Sequence, residues 1–370
     1  MTTEEMPRQP WVLTVADLDA IALGAGVLGS GGGGPAELGK LLVLEALRHT
    51  DPITIVPMES QEDTPLVVAV AQVGTPMVFS ERLGRGTEPS RAVQALEAHL
   101  GARAGAIMCD ELGGMNSMMP LLAAAHLRLP ILDADAMGRA FPDLYMDTLS
   151  MYAEGPVPCA FCDEEGNTAI LPGVRDPRPT ERLGRAITIA MGGMSYLARP
   201  APFGQGRRQA IIPGSYSRAW AIGQAVRRGA DRQDLPALDL RTLGGRVLFH
   251  GLVTVVNRRS ARGPLHGAVT IEGYGNHFTG ALRLEFQNEY LTAHWDSALV
   301  AVTPDVISLI DDETGEPVGA DQARMGHHVV VLGFQADPRM TTPEALQVVG
   351  PAAFGYPLAY RALELGEERR

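Results

Sequence analysis

The residues best suited to chemistry lie in two short acidic stretches. Asp110 and Glu111 open the run DELGGMN, which ends at Asn116, and Asp133 and Asp135 open DADAMGRAFP, which carries Arg139. Carboxyl groups held close together push one proton affinity up, which a general acid and base pair needs. Either these acids meet in a site, or each caps a following helix or pairs with an arginine such as Arg139. Taken as a cluster they favour the site. A third polar group, Asn288 and Glu289 within EFQNEY, interrupts apolar residues of the second half. Neighbours on a strand face opposite ways, so one of the two faces a cleft and the other solvent, unless both serve a turn.

Between two helical patterns stands Ser30, followed by Gly31, Gly32, Gly33 and Gly34 and then Pro35. Such a run costs backbone entropy on folding. Either the chain takes positive φ and lets another backbone come close, or its N–H groups turn toward a ligand carbonyl or carboxylate at the start of the next helix; the two are compatible. The run formally satisfies GxGxxG, and Gly34 to Lys40 satisfies GxxxxGK. Neither follows a strand-like segment, and Leu41 stands where a magnesium-binding hydroxyl belongs, so a nucleotide is not expected.

Other reactive side chains are weaker candidates. Cys159 and Cys162 form a lone CxxC, and the nine histidines are scattered, with His327 and His328 adjacent at a strand start where they face opposite ways. Buried, reduced thiols are expected. No organic cofactor is expected, and a divalent metal such as zinc is left open, because acids with an asparagine also suit a hard cation or a metal-bound water. Lys40 is the only lysine, so Schiff-base chemistry would rest on it alone. Ser215 and Ser217 lack the GxSxG setting of a serine nucleophile. Arg139 and Arg185 are candidates to hold a substrate carboxylate.

These groups need a frame. Leu18, Ile21, Ala22, Ala25 and Leu28 recur at helical spacing up to Gly29, and a second helix is predicted from Ala36 to His49. Apolar β-branched runs at 53–56 and 66–73, an apolar run at 104–109 and a strand at 130–132 alternate with helices predicted at Ser90 (as N-cap) to Leu100 and at 117–127. That alternation predicts an α/β N-terminal domain over 1–172 with a mostly parallel sheet, whose strand ends bring the acidic loops to one crevice. After a Pro-, Arg- and Gly-rich stretch at 172–182 come helices near 183–197 and 215–228. Short runs at 247–256, 267–271, 281–286, 306–310 and 328–334 then predict a mainly β domain, barrel or sandwich-like, over 173–370. Its Gly, Pro and aromatic tail at 350–356 should pack on another element, the first domain being the candidate.

Composition bounds the function. The 370 residues are 45% hydrophobic and 20% charged, as in folded soluble domains, and 31 basic against 43 acidic side chains leave a net charge of −12, which disfavours nucleic acid as a partner. No apolar stretch is long enough to span a membrane, the start of the chain is acidic and polar, and three cysteines suit a reducing compartment. A cytoplasmic protein without a membrane partner is expected, and a homo-oligomer is left open.

The segments LGSGGGGP (28–35), ELGGMN (111–116), LDADAMGRAFP (132–142), FQNE (286–289), PDVISLIDDETGEPV (304–318) and GPAAFGY (350–356) together resemble the S-methyl thiohydantoin desulfurase family, from about Asp17 to Tyr356. The resemblance implies an α/β domain followed by a mainly β domain. It also implies hydrolysis of an S-methylated thiohydantoin to a hydantoin and methanethiol, a step in breaking down sulfur-methylated ergothioneine-type compounds. The small-molecule partner would then be a heterocycle. Cys159 and Cys162 fall outside the matching segments.

The chemistry of that reaction assigns roles. Water must lose a proton as it attacks the carbon bearing the methylthio group, and a ring nitrogen must gain one. Glu111 with Asp133 or Asp135 are the candidates for these transfers. Ser30, the amides of Gly31, Gly32 and Gly33, Asn116, Asn288 and Glu289 are candidates to orient the ring, and Arg139 to take a substrate carboxylate. The competing classes are a non-catalytic binding or assembly subunit of a hydantoinase or oxoprolinase-type system, and a nucleotide-dependent enzyme using the glycine run.

Overall fold

The computed structural model describes residues 9–61, 66–74, 78, 81–82, 84–152, 155–173, 177–201, 210–259, 265–275 and 277–366. An eight-stranded mixed sheet has at its centre β2 (Thr54–Val56), β5 (Ile131–Leu132), β4 (Ala106–Cys109) and β3 (Val67–Gly74), adjacent in that order and parallel. These short runs are apolar on both faces, as strands covered on both sides must be. Ile55, Val68, Val70, Ile107 and Ile131 face one core, whereas Val56, Val67, Ala69, Met108 and Leu132 face another. The first core is covered by α1 (Val15–Leu28), α2 (Ala36–Leu47), α3 (Glu88–Leu100), α4 (Met118–Leu127) and α7 (Ser215–Asp231). Antiparallel strands close both edges: β1 (Trp11–Val12) beside β2, and β9 (Met194–Ala201), β7 (Cys159–Cys162) and β8 (Thr168–Leu171) beyond β3. The remaining short helices here are α5 (Thr148–Met151) and α6 (Pro177–Ala190).

Three local expectations change. The helix expected near 183–197 occupies Pro177–Ala190 instead; prolines are tolerated in its first turn, so the supposed linker is partly helical. Gly192 and Gly193, with φ of 91° and 93°, then turn the chain into β9, which pairs with β3 along its whole length. Residues 194–201 thus complete the first sheet, and α7 packs across α1. The third helix starts at Glu88, two residues before Ser90, whose hydroxyl donates back to the Thr87 carbonyl.

The second sheet holds seven antiparallel strands in the order β15 (Ala298–Val302), β14 (Glu289–Trp295), β13 (Ala281–Gln287), β12 (His266–Gly273), β11 (Gly245–Arg259), β17 (His328–Phe334) and β16 (Val306–Asp311). It curls into a half-barrel that brings β16 back against β14 and β15. A two-stranded pair, β6 (Ala134–Asp135) with β10 (Ile212–Pro213), ties the second acidic loop to the start of α7. Beyond α8 (Pro343–Val349), Phe354 joins a cluster with Met137, Phe141, Met146 and Leu291, so the tail backs the loop that follows Arg139.

The α1–α7 crossing fixes the entry to the glycine bend. A Cβ on Gly24 would overlap the Ala219 carbonyl, and one on Gly223 the Ala20 carbonyl. The two helices therefore touch backbone to backbone. Gly24→Ala or Gly223→Ala is expected to lower unfolding free energy by roughly 1–3 kcal/mol, the usual overpacking cost. Gly155→Ala, which meets nothing within 4 Å, should leave the denaturation midpoint in place.

Candidate active site

The site is assembled at the glycine bend that follows α1. Ser30, Gly31, Gly33 and Gly34 have φ of 53°, 90°, 78° and 77°. Main-chain bonds lock them to both halves of the molecule: the Ser30 carbonyl accepts from Tyr290 N at 2.7 Å, the Gly31 carbonyl from Ala320 N at 3.0 Å, and the Gly33 carbonyl from Met115 N at 2.8 Å. A Cβ on Gly33 would stand 2.5 Å from the Gly113 carbonyl oxygen, and one on Gly31 2.7 Å from the Tyr290 ring. Close approach of other chain segments is therefore one reason for the glycines. The ligand reading survives for Gly31 and Gly33, whose N–H groups donate to no protein acceptor among the described residues, while Gly32 N is used on the Gly29 carbonyl.

Glu111 leaves the end of β4 into the turn made by Gly113 and Gly114. It is 8% exposed, and both its oxygens are engaged: Phe141 N donates to Oε1 at 3.0 Å and the Asn116 amide nitrogen to Oε2. Asn116 in turn accepts on Oδ1 from the main-chain N–H of Gln72 in β3, at 2.6 Å. Glu289, the first residue of β14, arrives from the other domain. Its carboxyl lies against Gly32, where any Cβ would overlap Oε1, and its buried Oε2 meets no partner among the described residues. Glutamate from each domain thus converges on the bend, a pairing that sequence alone assigned to other residues.

Burial pushes both glutamates up to about 8. For Glu111 the donors Asn116 and Phe141 oppose this, and Asp110 and Asp135 reinforce it. For Glu289 the charge of Glu111 reinforces it, Arg139 opposes it and Asp143 adds to it. Arg139 is itself buried and pulled down to about 10 by desolvation, with Glu289, Asp305 and Glu111 favouring its charge.

Several of the expected groups are engaged by the protein itself. The Arg139 guanidinium spends three of its N–H donors on main-chain carbonyls: Nη1 donates to that of Asp305 at 2.7 Å, Nη2 to that of Tyr290 at 2.9 Å and Nε to that of Ala140, with Phe141 against its face. It is a buried strut that also supplies positive charge beside the glutamates. Asp133 accepts from Tyr216 N and from Ser217 N and its hydroxyl, capping the first turn of α7. Asp135 takes Leu112 N, Met137 N and Gly138 N on one oxygen and the Ser215 hydroxyl on the other. Burial pushes both aspartates up and these donors pull them back. Both oxygens of each accept from the protein, as those of Glu111 do, and these donors tie Asp133 to the start of α7 and Asp135 to the Leu112 main chain.

Ser30 is likewise structural, its hydroxyl donating to the Ile307 carbonyl at 2.6 Å. Asn288 takes the turn alternative, with φ of 62° and Oδ1 accepting from Leu265 N. Asn116 holds Glu111 and β3. Arg185 binds Glu181 and the Pro142 carbonyl, bracing the loop after Phe141. Asp110 points away from Glu111, to Arg199, which also meets Asp147 at 3.0 Å.

The cysteines form no chelate. Cys159 packs with Val73, Phe161 and Leu197, Cys162 with the opposite core, and burial pushes their thiols up to about 12 and about 11. Among the described residues no three His, Cys, Asp or Glu side chains converge as a metal-holding group, and no helix is long and apolar enough to cross a membrane.

Family models for S-Me-THD-like domains match nearly the whole chain, the N-terminal domain over residues 16–173 and the C-terminal domain over 175–363. A crystal structure of a protein from Chromobacterium violaceum is 24% identical, covers 96% of this chain and 100% of its own, and superimposes with a TM-score of 0.75, a likeness of fold. No curated protein gives a match.

The raised glutamates have a thermodynamic signature. With the ordinary value at 4.5, the folded protein keeps protons that the unfolded chain releases between there and about 8. Stability is fully present below the ordinary value and falls as pH rises through the window. Glu289→Gln mimics the protonated form, so its Tm relative to the parent should climb between about pH 4.5 and about pH 8 and then level off. A pH-independent difference would show that Glu289 is not raised.

Proposed function

The chain belongs to the S-methyl thiohydantoin (S-Me-THD)-like family, and from that membership and the two converging glutamates we propose that it is a hydrolase that exchanges the methylthio group of an S-methylated thiohydantoin for water. The observation that carries this reading is the burial of Glu111 and Glu289 together at the glycine bend. Two carboxyl groups pushed into the neutral range, one ionised and one protonated, meet the demands of the reaction at a carbon flanked by ring nitrogen and sulfur.

In the proposed sequence the ionised glutamate takes a proton from water as the oxygen attacks the ring carbon. The protonated one gives its proton to the ring nitrogen, so that no charge accumulates there. The tetrahedral intermediate then loses its hydroxyl proton to the second glutamate as the carbonyl forms. The carbon–sulfur bond breaks and the first glutamate returns its proton to sulfur, releasing methanethiol and hydantoin. Both carboxyl groups end as they began, so the balance closes with water alone. The free N–H groups of Gly31 and Gly33 are the groups proposed to hold a ring carbonyl. Arg139 keeps one negative charge tolerable in a dry site without touching the substrate.

The test is release of methanethiol from an S-methyl thiohydantoin by the purified protein alone, followed with a thiol reagent. Glu111→Gln and Glu289→Gln should each lower kcat/KM by ~10²- to 10⁴-fold, the usual worth of a proton-transfer group. No thiol release by the parent protein would favour the binding-subunit alternative, and near-normal turnover in either variant would remove that residue from the mechanism.

A further inference from the structure

The two glutamates are not equivalent, and the difference lies in who donates to them. A main-chain N–H can only donate, so the Gln72 amide fixes Oδ1 of Asn116 as the atom facing it and leaves Nδ2 facing Glu111. Flipping the Asn116 amide would set two donors against each other. Glu111 therefore meets an immovable donor on Oε2 from Asn116 and a second on Oε1 from Phe141 N. An ionised carboxylate, which only accepts, satisfies both; a proton on either oxygen competes with a donor already in place. Glu289 is less engaged, with only its own main-chain N–H favouring its charged form among the described donors. Its Oε2 is buried and meets no donor among the described residues, so a proton resides there at no cost to an existing bond.

We infer that Asn116 is the positioning residue that divides the labour of the pair, holding Glu111 as the base while Glu289 keeps the proton and serves as the acid. This rests on the proposed acid–base reading of the two glutamates and adds the assignment that reading leaves open. The charged groups around them do not make the choice. The charges of Asp110 and Asp135 act on Glu111, those of Asp143 and Glu111 act on Glu289, and Arg139 attracts both glutamates. Two aspartates oppose the charge of Glu111, and Arg139 acts on Glu289 more than on Glu111, so the charges alone would not make Glu111 the base; the distinguishing feature is the donor pair on Glu111, and its side-chain half is Asn116.

The experiment reads protons directly, without substrate. Infrared difference spectra record the protonated carboxyl band across a pH titration of Glu289→Gln, where Glu111 remains, and of Glu111→Gln, where Glu289 remains. Glu111 is expected to lose its proton at the lower pH. Adding Asn116→Ala should move the Glu111 midpoint up by about one unit, as loss of a hydrogen bond to the charged form does, and leave the Glu289 midpoint in place. If Asn116→Ala does not fold by circular dichroism, Asn116→Asp keeps an acceptor for Gln72 while losing the donor, and it should raise the Glu111 midpoint as well. A Glu289 midpoint below that of Glu111, or a Glu111 midpoint indifferent to residue 116 in a folded variant, overturns the assignment. Failure of thiol release by the parent protein overturns the reaction instead, so the two failures are told apart.

Discussion

The structure depends on a bend that leaves no room for a side chain at Gly29, Gly31, Gly32 or Gly33. Residues 29–34 are pressed on one side by Gly113 and Gly114 from the first acidic loop and on the other by Tyr290 and Glu289 from the half-barrel. A Cβ at Gly32 would take the space of the Glu289 carboxyl, and a Cβ at Gly33 that of the Gly113 carbonyl. Positive φ at four of these positions lets the carbonyls of Ser30, Gly31 and Gly33 accept from three different segments. The run therefore acts as the joint at which the two sheets meet, and the proposed chemistry is placed there because the joint admits a carboxyl from each side.

From this follows the electrostatic character of the site. Bringing backbones this close excludes water from Glu111 and Glu289, and desolvation disfavours the charged carboxylate more than the neutral acid. Left alone, two such groups would both stay protonated. Arg139 counters that tendency, and it can do so only because its own donors are occupied by carbonyls of Ala140, Tyr290 and Asp305, which hold it beside the pair without forming a direct ion pair that would lock one glutamate in the charged form. The Asp305 side chain, engaged by Ala336 N, Leu363 N and the Tyr360 hydroxyl, secures that strut to the end of the chain. The tail thus bears on the site through Arg139 as well as through Phe354.

Much of this was legible in the residues. Apolar runs between helical patterns marked the parallel core of the first sheet, and an acidic residue just past β4 marked Glu111. What a sequence does not disclose is which carboxyls are spent on main-chain donors. Asp133 and Asp135 look like Glu111 as letters, but β6 and β10 draw them onto the start of α7 and under Leu112, contacts between residues some eighty or twenty positions apart. Glu289 stood out as a polar residue among apolar ones, yet its role depended on β14, whose residues EYLTAHW are buried from Glu289 to Ala293 although they mix polar and apolar types, so no alternation marks which face each takes. The strand at 194–201 was hidden by the helical periodicity that precedes it. Only the paired glycines at 192 and 193, read as a break, would have separated the two.

The neighbouring acid Asp110 shows why position along a strand matters more than acidity. Successive residues leaving a strand point to opposite faces. Asp110 therefore falls on the far side of the sheet, where two nitrogens of Arg199 reach one of its oxygens and Asp147 shares the same guanidinium. Burial pushes Asp110 only to about 6, because Arg199 opposes it directly. Glu111, one residue on, has no arginine at hydrogen-bonding distance among the described residues; it has two uncharged N–H donors, and the nearby Arg139 donates to main-chain carbonyls. A full ion pair would have fixed Glu111 as a carboxylate and removed it from proton exchange near neutrality. Neutral donors instead favour the ionised form without enforcing it, and that intermediate strength separates the acid proposed to react from the ion-paired one beside it.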